Sequence, residues 1–161
     1  MNANDFIEAL QLEPHAEGGY YRSSFRAEQT AQTYFNKERP LYTSIYFLLR
    51  SQDVSHLHRL KSDELWNYHA GSALTVHIIS PEGEYVTKKL GLNILAGEQP
   101  QVLVPRGCIF GSSVDADDSF SLVGCVVAPG FDYEDFELFT KAELHNSYPH
   151  LHDVIEKLAY D

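Results

Sequence analysis

SHLHRLKSDELWNYHAG, residues Ser55 to Gly71, is the stretch whose reading decides the fold. His56 and His58 stand two apart in a short run with strand character, so simple alternation puts both imidazoles on one face. Glu64 follows six residues later, beyond a polar turn able to reverse the chain. A hairpin would bring its carboxylate beside the two histidines. Two imidazoles and a carboxylate meeting at one point can hold a divalent metal and leave positions open for a substrate. Alternating histidines on a strand are also ordinary surface residues, and this chain has eight. Trp66 and Tyr68 share the Glu64 face by alternation and would wall the same cavity.

Outward from this stretch, apolar runs recur with turn signals between them. Tyr20 to Arg26, Tyr42 to Leu49, Val54 to Arg59, Leu65 to His69, Leu74 to Ile79, Tyr85 to Leu90, Gln101 to Val104, Ile109 to Val114 and Ser119 to Ala128 all read as strands. The breaks include Ala70-Gly71-Ser72, Ser80-Pro81-Glu82-Gly83 and Pro105-Arg106-Gly107. Short strands at this spacing indicate a sandwich or barrel. Thr30 to Pro40 is polar and reads as a loop. Asp5 to Leu12 reads as a helix, with Asp5 and Glu8 at capping-box spacing. Thr140 and Glu143 repeat that spacing, and Leu151, Val154, Ile155 and Leu158 form an apolar helical stripe near the end of the chain.

At 161 residues, with 43% hydrophobic and 22% charged side chains, the chain suits one globular domain over residues 1–161. A net charge of -11 argues against nucleic acid and anionic membrane surfaces as partners. No apolar run is long enough for a membrane helix. Cys108 and Cys125 lie outside any CxxC spacing and read as reduced thiols. The opening MNANDFIEAL has no secretory pattern, so a cytoplasmic location is expected.

The HxH pair, the following carboxylate and Gly71 resemble the first cupin motif. GEQPQVLVPRGCIF, Gly97 to Phe110, resembles the second, with Phe110 where that motif normally has histidine. EGGYYRSSFR (Glu17 to Arg26), TSIYFLL (Thr43 to Leu49), HRLKSDELW (His58 to Trp66) and VVAPGFDYEDFEL (Val126 to Leu138) together resemble the cupin-5 family, the domain-of-unknown-function 985 group. The resemblance implies an all-β double-stranded β-helix, a cupin jelly-roll barrel, with short N- and C-terminal helices. It also implies a homodimer, similar to sugar epimerases of the dTDP-dehydrorhamnose type.

Two functional readings stand side by side. In one, the barrel binds a small polar metabolite, with Tyr21, Arg22, Trp66, Tyr68, Cys108 and Phe110 as ligand-binding residues. An arginine beside aromatics suits a carboxylate or phosphate. In the other, it is an epimerase-like, isomerase-like or metal-assisted enzyme, with His58 and Glu64 catalytic as a base and its orienting carboxylate. No cofactor is certain. A divalent metal, if bound, is expected to be held weakly by His56, His58 and Glu64, because phenylalanine cannot supply the fourth ligand.

Overall fold

The computed structural model describes all residues, Met1 to Asp161. Helix α1 spans Ala3–Ala9. The strands are β1 (Glu13–Pro14), β2 (Tyr20–Arg26), β3 (Thr30–Gln32), β4 (Glu38–Pro40), β5 (Thr43–Arg50), β6 (Val54–Arg59), β7 (Asp63–Gly71), β8 (Leu74–Ile79), β9 (Tyr85–Leu90), β10 (Gln101–Val104), β11 (Ile109–Val114), β12 (Phe120–Ala128) and β13 (Glu137–Leu138). Helices α2 (Lys141–Ser147) and α3 (His152–Leu158) follow. No helix is long and apolar enough to cross a membrane.

Two antiparallel sheets form an all-β jelly roll. One has the order β1-β2-β5-β12-β7-β10 and the other β13-β6-β11-β8-β9; neither closes on itself. Alternation divides each strand between two surroundings. Phe47, Trp66, Val76, Phe110 and Val123 point inward and form the main core between the sheets. Outward-facing Leu57, Ile79 and Ile109 are covered by Leu144, Ile155 and Leu158 of α2 and α3. On the other sheet, Leu48 and Leu122 pack beneath Phe6 and Ile7 of α1. Each terminal helix thus covers the outer apolar face of one sheet.

Three local readings change. Helix α1 begins two residues before Asp5, because Asn2 takes the N-cap and Asp5 becomes its capping-box partner. Strand β7 is longer than Leu65 to His69, since β12 pairs with it from Asp63 to Gly71. Thr30 to Pro40 is a β-hairpin rather than a loop: β3 pairs with β4, and Thr30 Oγ1 donates to Glu38 Oε1 at 2.6 Å. The Thr140–Glu143 capping box opens α2 as the sequence indicates.

Candidate functional site

A cavity of about 370 Å³ opens between β6 and the inner face of the six-stranded sheet. His58 and Glu17 lie in its wall with Glu64, Cys125 and Val127, while Tyr21, Arg26 and Tyr133 also line it. Irregular pairing decides which side chains reach it. Between β11 and β6 the register runs from Phe110 opposite His58 to Ser112 opposite Ser55, so β6 carries one extra residue. A bulge of this kind re-aims side chains that alternation would place together. His58 points inward, its ring 4.1 Å from that of Phe110 between centroids. His56 turns toward the C-terminal helix instead, with Nδ1 3.2 Å from the Leu158 carbonyl oxygen and its ring 5.9 Å from that of Tyr160. His56 does not line the cavity.

A second bulge lies in β2. Tyr21 and Ser23 oppose Phe47 and Ile45, and after one extra residue Arg26 opposes Thr43. Arg26 therefore lines the cavity, whereas Arg22 faces outward and is exposed. Of the other ligand-binding candidates, Trp66, Cys108 and Phe110 are buried in the main core, and Tyr68 packs against it from the edge. None of these four lines the cavity. The structure thus brings His58, Glu64 and Tyr21 together and leaves His56, Arg22, Trp66, Tyr68, Cys108 and Phe110 outside the wall.

Glu17 is the residue that spacing around the histidines does not find. It precedes Gly18 and Gly19, whose φ values of 105° and 75° favour glycine. A Cβ on Gly18 would overlap the Val54 carbonyl oxygen, and one on Gly19 would crowd the Phe47 ring. The glycine pair lets the chain run against β6, where the His56 N–H donates to the Glu17 carbonyl. The Glu17 carboxylate then reaches inward, with Oε2 2.8 Å from His58 Nε2. His15, two residues earlier, accepts the Glu17 N–H at Nδ1 over 3.0 Å. The only sequence signal for Glu17 is its place at the head of the Gly-Gly motif.

The protons divide unequally. His58 Nδ1 lies 2.6 Å from the His56 carbonyl, which can only accept, so Nδ1 carries a proton. Nε2 faces the Glu17 carboxylate. Burial opposes charge on His58, yet the charge and hydrogen bond of Glu17 outweigh it and raise its pKa. Burial likewise opposes charge on Glu17, and His58 outweighs it and holds the pKa low. The two form a buried ion pair. Glu64 is pushed up to about 8, first by burial and then by the Glu17 charge, with His58 pulling only partly back. At neutral pH it is a carboxylic acid. The Trp66 indole N–H, the least of these influences, also pulls back, and neither it nor Glu64 Oε2 has any other hydrogen-bond partner.

Two face-to-face antiparallel sheets holding ionisable groups between them define a small jelly-roll protein of the cupin type. The chain belongs to the Cupin_5 family of the cupin superfamily (DUF985), which matches residues 4–139. It is similar to a hypothetical protein from Leishmania major, at 44% identity and a TM-score of 0.96, covering 100% of both chains. It is similar to a protein of Shewanella oneidensis at 56% identity and a TM-score of 0.91, covering 99% of this chain and 98% of that one. An uncharacterized protein of Saccharomyces cerevisiae is 28% identical over 154 residues, 85% of this chain and 74% of that protein. Bacillus subtilis oxalate decarboxylase shares the fold at 17% identity and a TM-score of 0.57; the match covers 91% of this chain and 37% of that one.

The metal set implied by the cupin resemblance does not fit these residues. His56 is turned away toward the C-terminal helix and Phe110 stands at the fourth position, so of the implied set only His58 and Glu64 face the cavity. The one histidine-rich group of potential ligands in the structure, His145, His152 and Glu156, lies instead on the C-terminal helices.

Proposed function

We propose that the cavity binds a small polar metabolite. The observation that carries this reading is a cavity of about 370 Å³ whose wall holds the Glu64 carboxyl together with the Glu17–His58 pair. A concave site with a few convergent polar groups is suited to a hydroxyl or carbonyl brought by a ligand. Arg26 and Tyr133 at the rim favour a ligand with an anionic or oxygen-rich end.

A second reading, an enzyme of epimerase or isomerase type, is favoured by the uneven protonation. Glu17 is a carboxylate held ready by His58, and Glu64 is a carboxylic acid in the same cavity. One base and one acid are what moving a proton between two atoms of a bound carbonyl compound requires. Glu17 takes the proton beside the carbonyl, and Glu64 donates one to the developing oxyanion. On this reading Glu17, rather than Glu64, is the carboxylate that orients His58. The two buried cysteines are free thiols, in keeping with a reducing cytoplasm.

Thermal-shift screening of sugars, sugar phosphates and hydroxy acids tests both readings. At least one class should raise the Tm of the native protein and have less effect on Glu64→Gln. A hit whose C–H exchanges with deuterium from solvent selects the enzyme. Equal shifts in native protein and variant would remove Glu64 from the binding site.

A further inference from the structure

The C-terminal helical hairpin carries a second constellation, remote from the cavity chemistry. His152 and Glu156 are four residues apart on α3, so they share one face of the helix. His145 lies in the last turn of α2. Its Nε2 is 2.8 Å from Glu156 Oε1, and its ring centroid is 5.1 Å from that of His152. One ligand atom from each of the three lies within 4.8 Å of the others. Lys141, the nearby cation, is 2.7 Å from Asp161 Oδ1 but 3.7 Å from Glu156 Oε2. Lys141 thus favours Asp161 and leaves Glu156 Oε1 turned toward the histidines.

We propose that His145, His152 and Glu156 form a surface site for one divalent transition metal of the zinc class, which ties α2 to α3. Two imidazoles and a carboxylate, with water in the fourth position, are a ligand set that zinc accepts. The 2.8 Å separation of His145 Nε2 and Glu156 Oε1 lets both atoms reach one ion with little movement. The His152 ring, exposed on the helix surface, turns to complete the set.

The position of the hairpin gives the site a consequence. Each helix has seven residues and is too short to persist alone. Both lie beyond residue 139, where the family match ends. Their docking covers Leu57 on β6, and the Leu158 carbonyl meets His56 Nδ1. A metal across α2 and α3 therefore stabilises the cap that fixes the strand bearing His58. It acts as a structural clamp and takes no part in proton transfer.

The test uses the full chain without an affinity tag, stripped with chelator and desalted, then titrated with Co2+ by absorption and Zn2+ by calorimetry. One ion should bind per chain, and Zn2+ should raise the Tm. His152→Ala and Glu156→Gln, both at exposed positions, should each weaken binding by about tenfold or more and abolish the thermal shift. His58→Ala and Glu64→Gln should bind metal as the native chain does. Hydrogen exchange should show slower opening of residues 141–158 with metal present. The absence of binding would overturn the proposal. So would binding that survives His152→Ala but is lost with His58→Ala.

Discussion

Single residues set the proton inventory of the cavity, and Glu64 gives the sharpest prediction. In the fold it keeps its proton to about pH 8, against an ordinary value of 4.5. Between those values the folded chain binds more protons than the unfolded chain, so this group's contribution to stability falls as pH rises. Glu64→Gln removes the titration. The variant should gain on the native protein by a few kcal/mol, in order of magnitude, between about pH 4.5 and pH 8. Urea denaturation at both pH values measures the gain; a constant difference would mean that Glu64 is ionised in the fold. Glu17 and His58 behave oppositely. The raised His58 contributes fully below its ordinary 6.5, and that contribution is lost as pH rises through its folded value. The lowered Glu17 contributes above its ordinary 4.5, and that is lost as pH falls through its folded value. Their joint contribution is therefore greatest between about pH 4.5 and pH 6.5. Glu17→Gln should cost about 3 kcal/mol near pH 6, and the His58 imidazole resonances should then titrate at lower pH. Unchanged His58 titration would dissolve the pair.

At the level of elements, the strands were legible in the sequence and their irregularities were not. Val54 to Arg59, Leu74 to Ile79 and Ile109 to Val114 stand where apolar runs and turn signals place them. The chain reversal expected between His58 and Glu64 brings both side chains to one cavity. What alternation cannot see is an extra residue: one bulge in β6 separates His56 from His58, and another in β2 brings in Arg26 instead of Arg22. Glu17 stayed hidden because it joins the site through a glycine turn, with no periodic spacing to His58. The β3–β4 hairpin was hidden for a related reason, since its anchor is distant in sequence. Arg39 Nε and Nη2 donate to Asp135 Oδ2 and Oδ1 at 2.8 and 2.9 Å, and both residues are buried. This bidentate pair ties β4 to the 3₁₀ turn Tyr133–Asp135, which holds Tyr133 at the cavity rim. Arg39→Ala strands a buried carboxylate and should destabilise by about 3–5 kcal/mol. Replacing both partners, Arg39→Met with Asp135→Leu, should recover much of the loss. Additive losses in that double-mutant cycle would show that the two groups do not act as a pair.

For the whole molecule, the unfinished edge of the six-stranded sheet is the feature with the largest consequence. Strand β1 covers β2 only at Tyr20 and Tyr21, so Arg22 to Arg26 have a strand neighbour on one side alone. An edge left open invites a second chain. Phe25 adds apolar area there, being 67% exposed. The chain's net charge of -11 opposes self-association as a whole, but exposed Arg22 and Arg26 make this edge locally positive. A homodimer through β2 would set these arginines against those of the second copy, so strand pairing and the Phe25 contact carry the association. Light scattering should therefore give about twice the 18.2 kDa chain mass at micromolar concentration. Association should strengthen as added salt screens the remaining like charge. Phe25→Glu adds an acid and removes the apolar contact, so it should raise the dimer dissociation constant by tenfold or more, about 1.4 kcal/mol or beyond. Because Phe25 faces solvent, the variant should keep the native far-UV spectrum and Tm of the isolated chain. A native protein that is monomeric at micromolar concentration, or a Phe25→Glu variant that dimerises as tightly as the native chain, would remove this edge as the interface.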